Sequence, residues 1–324
     1  MIALGKGSDL VLPDQRQRWQ EHRVGVTPIN SPERTDAFGS LAPGARRLSD
    51  GDLQRAAGSG RIALSGSASG TRVIELFHRS PVRILLPRTT GSAVEEAVVV
   101  NIGGGIAGGD RFNCEVTALD GASLAVTSQA AERIYCALSE PACIATKLAA
   151  RGGARLAWLP QETILFNRAR LRRETQLDVS SGAEVLALEW LVLGRAAHGE
   201  ELLYGEVTDS WRVKLDGRLV WADTFRAGDQ TFPNLRRKAL LSDHKAVATL
   251  VYFGPLREAR QKFLREVFSA LDCQCGATSI GALLIARFGG TSSCSLRFAL
   301  RSLLEEFGRE AGAGPFRVPK MWTC

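Results

Sequence analysis

A Gly-Ala pair flanked by alternating apolar residues occurs three times in the middle of the chain, at Gly121, Gly153 and Gly182. The copies are 32 and 29 residues apart, and each is typical of a strand that turns at the glycine and continues as a second strand. Strand pairs repeated at this interval cannot each close a core, so they must stack as in a solenoid, a β-helix or a sandwich. The repeat therefore predicts a mainly β fold whose body, residues 60–230, is a β-helix-like stack of strands.

The chain after residue 230 has a different periodicity. Residues 246–253 are predicted to form a strand and residues 256–271 a helix, because apolar residues recur on one helical face. A second strand is predicted over residues 280–288 and a second helix over residues 296–307. This alternation, with short links, predicts a small α/β part, residues 231–324, packed against the β-body.

The first 59 residues lack a periodic apolar pattern and are rich in Gly, Pro, Ser and Arg, which predicts a mobile extension to a domain of residues 60–324. Overall, 45% hydrophobic and 23% charged residues are typical of a soluble globular protein. Seven irregularly spaced cysteines favour reduced thiols, and no apolar run approaches the roughly 20 residues that span a bilayer. We therefore expect a cytoplasmic protein with no membrane partner.

The net charge of +7 comes from one end of the chain. Residues 231–324 contain 14 Lys and Arg against 7 Asp and Glu, whereas residues 184–229 contain nine acidic residues against five basic ones. The sequence has no basic motif with interleaved aromatic residues of the kind that nucleic-acid-binding folds carry. The basic end therefore predicts a solvated or protein-docking surface and not a nucleic-acid partner.

A glycine-rich segment formally satisfies the dinucleotide-binding fingerprint through Gly103, Gly105 and Gly108. That fingerprint requires a helix to follow, because the pyrophosphate binds at the helix N-terminus. The alternating pattern of a strand follows instead, over residues 112–118, which favours a tight strand crossover that positions Asp110. The motifs of serine hydrolases, zinc peptidases and P-loop NTPases do not occur either, so we expect no enzyme, with a nucleotide-binding enzyme as the less favoured alternative.

One carboxylate lies inside a strongly apolar strand, since Glu189 has apolar residues on both sides within residues 186–193. Ionising a carboxylate there costs several kcal/mol unless a cation, a donor or water offsets the cost. Glu189 is therefore expected to face inward or to be tightly paired. A buried ion pair with Arg195 or Arg133 and a functional role are the two alternatives.

Dedicated metal sites are not predicted by ligand spacing. Cys273 and Cys275 form a possible soft site without a second half, and the histidines are scattered with no i, i+4 pair. We expect no tightly bound cofactor.

Six short motifs occur in an order that is similar to the urease accessory protein UreD family, also called UreH. They are Gly104–Asp110, Gln129–Tyr135, Leu159–Glu162, Leu193–Arg195 with Gly199–Glu200, Gly217–Leu219 and a terminal Pro-Lys-Met-Trp ending at Trp322. The resemblance extends over residues 61–324 and assigns structural motif positions to Gly104, Gly105, Gly108, Gly109 and Arg195. The sequence departs from it at Glu132-Arg133 and at Cys136, so the local charge near that turn differs.

The resemblance implies a non-enzymatic scaffold with a β-helical body and a few helices. It implies that the protein bridges apo-urease to the partner UreF and, through UreF, to the nickel-carrying GTPase UreG. It also implies that Ni²⁺ passes in transit through an internal water-filled passage to urease. The alternative is a pure assembly chaperone that opens urease without conducting nickel.

The resemblance places Glu189 and Asp223 on the nickel path. Asp110, Glu162 and Glu200 match other acidic motif positions and are weaker candidates, for which a structural role is equally expected. Ni²⁺ accepts carboxylate and water ligands, and a transit site must be strong enough to admit the ion and weak enough to release it. Isolated carboxylates along a wet channel meet that requirement.

Overall fold

The three Gly-Ala repeats form turns of a two-sheet β-solenoid. The computed structural model describes residues 54–68, 70–87, 94–310, 316 and 318–323. Each repeat places one strand in the first sheet and the next strand in the second, so the chain winds around the space between the sheets. The predicted mainly β, stacked-strand fold is confirmed. Of the predicted mobile extension, residues 1–53 lie outside the described residues.

The described strands are numbered in chain order. The first nine are β1 Ala57–Ser67, β2 Gly70–Arg79, β3 Val82–Leu85, β4 Glu95–Asn101, β5 Arg111–Leu119, β6 Ser123–Ser128, β7 Glu132–Ile134, β8 Ala142–Ala150 and β9 Arg155–Trp158. The others are β10 Thr163–Leu165, β11 Arg170–Val179, β12 Glu184–Arg195, β13 Glu200–Glu201, β14 Glu206–Leu215, β15 Arg218–Gly228, β16 Ala246–Phe253, β17 Gln274–Ile280 and β18 Leu283–Gly290. The α-helices are α1 Phe232–Leu235, α2 Arg257–Val267 and α3 Ser293–Glu310.

Parallel pairing between successive repeats builds the centre of both sheets. The first sheet has the order β15-β14-β11-β8-β5-β1-β2, and β5, β8, β11 and β14 run parallel. The second sheet has the order β17-β18-β16-β12-β9-β6-β4-β3, and β4, β6, β9 and β12 run parallel. Strand β14 pairs antiparallel with β15 across a tight turn at Asp216 and Gly217. Because the repeats stack in register, the central strands within each sheet all run in one direction.

The glycine of each repeat occupies a corner of the solenoid. Its φ is +78° at Gly121 and +86° at Gly182, in the left-handed region that glycine adopts without a steric cost. The alanine that follows is buried between the sheets, at Ala122 and at Ala183. The pair thus combines a turn that needs glycine with a corner that admits only a small side chain.

The C-terminal part does not form a separate layer of its own strands. Strand β16 pairs antiparallel with β12, and β18 and β17 follow it, so all three extend the second sheet. Helices α2 and α3 pack on the outer face of that sheet, where Phe263, Leu300 and Phe307 are buried. No described helix has the length and apolar character that a bilayer span needs.

The strand predicted over residues 280–288 is wrong at its N-terminal end. Gly281, with φ +56°, lies in a turn between β17 and β18, and the strand that corresponds to the prediction, β18, begins only at Leu283 and ends at Gly290. Strand β17 escaped prediction because its sequence, Gln274–Ile280, is dominated by small and polar residues.

Candidate functional site

A layer of polar side chains separates two apolar cores in the space between the sheets. On β11, Leu171 belongs to one core and Leu177 to the other, and the two inward positions between them are Arg173 and Thr175. The neighbouring strands of the first sheet add polar inward residues at these two levels, with Asp209 level with Arg173, and Thr146 and Asp223 level with Thr175. These residues, defined here as the polar layer, are Thr146, Arg173, Thr175, Glu189, Asp209 and Asp223.

Arg173 is the centre of the polar layer. It lies opposite Asp209 in the register of β11 and β14, and it donates from Nε and Nη2 to the two carboxylate oxygens at 2.8 and 2.7 Å. Its Nε is also 3.0 Å from Oε2 of Glu189, on the opposite sheet. Its Nη1 donates to the Thr163 hydroxyl at 3.0 Å. One buried guanidinium therefore holds two buried carboxylates, which offsets a desolvation cost of several kcal/mol per ion.

Glu189 accepts two hydrogen bonds, both through Oε1, whereas its buried Oε2 accepts none and has only the ion-pair contact with Arg173. Trp158 Nε1 donates to Oε1 at 3.1 Å, and the Thr175 hydroxyl donates to the same atom at 2.8 Å. Burial raises the pKa of Glu189, and the negative charge of Asp209 adds to the effect, while Arg173 opposes it. The pKa is raised on balance because burial is the largest of these effects.

A cavity of 410 Å³ borders the polar layer on one side. Glu189, Asp209 and Asp223 all line it, so the two principal sequence candidates share one cavity. Asp223 Oδ2 pairs with Nη2 of Arg287 at 2.7 Å, and its side chain is 26% exposed. Asp223 thus has access to solvent that Glu189, at 4% exposure, lacks.

A smaller cavity, of 100 Å³, lies on the other side of Glu189. Glu132 and Cys114 line it, as do Arg173 and Glu189. Burial raises the pKa of Glu132, although the Asn101 amide donates to its carboxylate at 2.9 Å. Burial also raises the pKa of the Cys114 thiol to about 12, so the thiol stays protonated at neutral pH and is a poor metal ligand.

The residues of both cavities can interact with a cation but do not form a cage for one. Within the described parts of the chain, no three His, Cys, Asp or Glu side chains are placed together to hold a metal ion. The carboxylates of Glu189, Asp209 and Asp223 are each paired with an arginine. Such a set can attract a hydrated divalent ion by charge and still release it.

Asp110 lies apart from the polar layer, at the end of the glycine-rich loop. Its two oxygens accept from the backbone amides of Ala56, at 2.7 Å, and Ala107, at 2.8 Å. The loop leads directly into strand β5, with no helix at which a pyrophosphate could bind. Gly105 is required by close packing, because a Cβ atom there would lie 2.6 Å from the ring of Tyr135. The loop is thus a crossover between two strands, and its conformation is stabilised by the hydrogen bonds that Asp110 accepts.

Glu162 and Glu200 also lie outside both cavities and are paired with arginines. Arg297 Nη2 is 2.8 Å from Glu162 Oε2. Arg195 donates to both oxygens of Glu200, at 3.0 and 2.5 Å, and its guanidinium lies 4.0 Å from the ring centre of Phe166. These contacts connect neighbouring segments of the fold and leave few free lone pairs for a metal ion.

The predicted ion-pair partners of Glu189 are wrong. Arg195 pairs with Glu200, and Arg133 is exposed, whereas Glu189 pairs with Arg173. Sequence reasoning missed Arg173 and Asp209. A signal was present, since Arg173 falls on an apolar position of the alternating strand Leu171–Val179 and must face inward with those neighbours.

Comparison with known proteins gives consistent matches over the described domain. A family model described as UreD urease accessory protein matches residues 56–323. The urease accessory protein UreD of Xanthobacter autotrophicus is 40% identical over 270 residues, which cover 83% of this chain and 91% of that protein. The UreD of Rhizobium etli is 39% identical over 271 residues, covering 83% and 96%, and that of a Methylobacterium species is 40% identical over 262 residues, covering 78% and 93%. The family match includes the polar layer and both cavities.

Proposed function

The chain belongs to the UreD family of urease accessory proteins, and from that premise we propose that it conducts Ni²⁺ through its interior to apo-urease. In this proposal it is a cytoplasmic, non-catalytic scaffold that bridges apo-urease to UreF and, through UreF, to UreG. Nickel is its cargo and not a resident cofactor. Neither nucleic acid nor a membrane takes part.

The observation that carries this proposal is the position of Glu189 between two cavities. It lines both the 410 Å³ cavity and the 100 Å³ cavity, so this one carboxylate is common to the two. Asp223 and Asp209 precede it in the larger cavity, and Glu132 follows it in the smaller one. Carboxylates spaced along a cavity offer a divalent ion successive sites of moderate affinity, which is the condition for transit through a pore.

Substitution of the two principal carboxylates tests the proposal. Glu189→Ala and Asp223→Ala are expected to lower urease activation at limiting nickel at least about tenfold, because each loses a favourable charge worth more than about 1.4 kcal/mol to a divalent ion. Activation is measured with the full chain in complexes whose integrity is verified by gel filtration. Glu174→Ala, a carboxylate on the exposed face of β11, is the matched control and should activate normally. Normal activation by both cavity variants in intact complexes would reject nickel conduction.

The alternative function, assembly without conduction, is favoured by one specific observation. Glu189 and Asp223 are each paired with an arginine, at 3.0 and 2.7 Å. Ion pairs of this kind also occur where a buried charge has only a structural role. In that case the scaffold would hold urease open, and nickel would reach the active site by another route.

A further inference from the structure

Arg173 lies at the junction between the two cavities. It lines the smaller cavity, its partner Asp209 lines the larger one, and Glu189 lines both. Its guanidinium is in contact with both carboxylates, as the distances above show. A cation that moves past Glu189 from one cavity towards the other therefore comes next to this guanidinium.

The charge balance of the three residues explains what the arginine contributes. Two ionised carboxylates and one guanidinium carry a net charge of −1, whereas the carboxylates alone would carry −2 in a buried setting. Two buried carboxylates within reach of one another attract a divalent cation strongly, because the Coulomb energy rises as the local dielectric constant falls. Such a pair would trap the ion.

We infer that Arg173 is a counter-ion gate, whose guanidinium takes the place of a divalent cation between Glu189 and Asp209, yields to Ni²⁺ as the ion crosses, and then returns to release it. This inference rests on the proposed function and assigns a positioning role to one residue of the passage.

One further contact and the charge state of Arg173 support the gate. The guanidinium already donates to the Thr163 hydroxyl, which lines the smaller cavity, so it has a polar partner on that side when an ion enters. Burial opposes the charge of Arg173, but Asp209 and then Glu189 outweigh burial and raise its pKa. The guanidinium therefore stays charged throughout the physiological pH range.

Nickel retention provides a test that does not depend on urease activity. The full chain, in complex with apo-urease and its accessory partners, is incubated with nickel sulfate and desalted, and the bound metal is measured by mass spectrometry. The Arg173→Gln complex is expected to retain about one Ni²⁺ per chain, held at least about tenfold more tightly than in the wild-type complex. Urease activation at limiting nickel should fall in the same variant, because the ion is not released.

Three matched variants separate charge from packing. Arg173→Lys keeps the positive charge and should release nickel as the wild-type chain does. The double variant Arg173→Gln, Glu189→Gln returns the net charge to −1 and should lose the retention. Arg212→Gln removes an arginine from an exposed pair with Glu174 and should retain no nickel.

The gate is overturned if Arg173→Gln retains no more nickel than the wild-type complex, or if Arg173→Gln and Arg173→Lys retain it equally.

Should the Arg173→Gln complex fail to assemble, Asp209→Asn tests the gate through the partner carboxylate of Arg173. In that variant Arg173 and Glu189 form a neutral ion pair, from which a cation displaces the guanidinium poorly. Urease activation should therefore fall at limiting nickel and recover in excess nickel. Unchanged activation would overturn the gate. If the Arg173 variants reject the gate but Glu189→Ala still impairs urease activation, the proposed nickel conduction is retained.

Discussion

Glu189 and Glu200 are both paired with an arginine, yet their pKa values shift in opposite directions. Glu189 is fully enclosed, and burial raises its pKa above the ordinary 4.5. Glu200 lies nearer the surface, and the hydrogen bond from Arg195 lowers its pKa below the same ordinary value. The balance between desolvation and pairing thus depends on depth, as expected for a charge whose hydration is lost with burial.

This contrast predicts opposite pH dependences of stability for two variants. The raised pKa of Glu189 means that its contribution to folding is present below pH 4.5 and is lost as the pH rises through the folded-state pKa. Glu189→Gln should therefore gain stability relative to the wild-type chain as the pH rises from 4.5. Pulse proteolysis of the full chain in urea, repeated between pH 4.5 and pH 8, measures the difference.

Glu200→Gln is the control of opposite sign. The lowered pKa of Glu200 gives stability that is present above pH 4.5 and is lost as the pH falls through the folded-state pKa. The variant should therefore be less stable than the wild-type chain at neutral pH, and the difference should disappear in acid. Parallel pH profiles for the two glutamine variants would contradict both assignments.

At the scale of elements, the C-terminal segment connects motifs that are far apart in the sequence. Trp322 is buried, donates from Nε1 to the Leu159 carbonyl at 2.8 Å, and stacks on Trp190 at a centroid distance of 6.0 Å. The Gln161 amide donates to the Met321 carbonyl at 3.1 Å and accepts from Arg297 at 2.7 Å. The Leu159–Glu162 motif and the terminal motif therefore stabilise one another.

Removal of the Trp322 side chain should destabilise the whole domain. Trp322→Ala is expected to cost about 3 to 5 kcal/mol, because it leaves a large cavity and removes one of the two hydrogen bonds that the Leu159 carbonyl accepts, the other coming from the Thr127 hydroxyl. Trp322→Phe fills most of the space and loses only the N–H donor, so it should cost about 1 to 3 kcal/mol. Urea unfolding of the full chain measures both values. An alanine variant within about 0.5 kcal/mol of the wild-type chain would show that the segment is not anchored there.

At the scale of the whole molecule, the charge segregation seen in the sequence is partly neutralised within the fold. Glu201, in the acidic stretch, pairs with Arg236 and Lys245 of the basic end, and Asp223 pairs with Arg287. The predicted solvated or docking surface is therefore only part of the explanation. Some basic residues of the C-terminal end form ion pairs with the acidic stretch and are not available to a partner.

Occlusion of the larger cavity separates nickel conduction from assembly alone. Gly276 lines this cavity on β17, and a Cβ atom added there would have no heavy atom within 4 Å. Gly276→Trp should fill the cavity without disturbing the sheet and should lower urease activation at limiting nickel at least about tenfold. Gly276→Ala makes the same backbone change without filling the space and should activate normally. Full activation by an intact Gly276→Trp complex would favour the assembly function.

The sequence by itself determined the solenoid and the burial of Glu189. Both depend on local patterns: a strand alternates with a period of two, a corner needs glycine, and an acid within an apolar strand must go inward. It also predicted that the segment after the glycine-rich loop is a strand. These features need no knowledge of distant residues.

Only the tertiary structure decided which arginine meets Glu189 and where the cavities lie. Arg173 and Asp209 are neighbours because β11 and β14 stack in register, and Glu189 meets them because the second sheet faces the first at that level. The alternation of β11 turns Arg173 inward, but no local pattern shows that Glu189 is the carboxylate it meets. The choice depends on the register between repeats and the packing of two sheets, which are properties of contacts between residues distant in the chain.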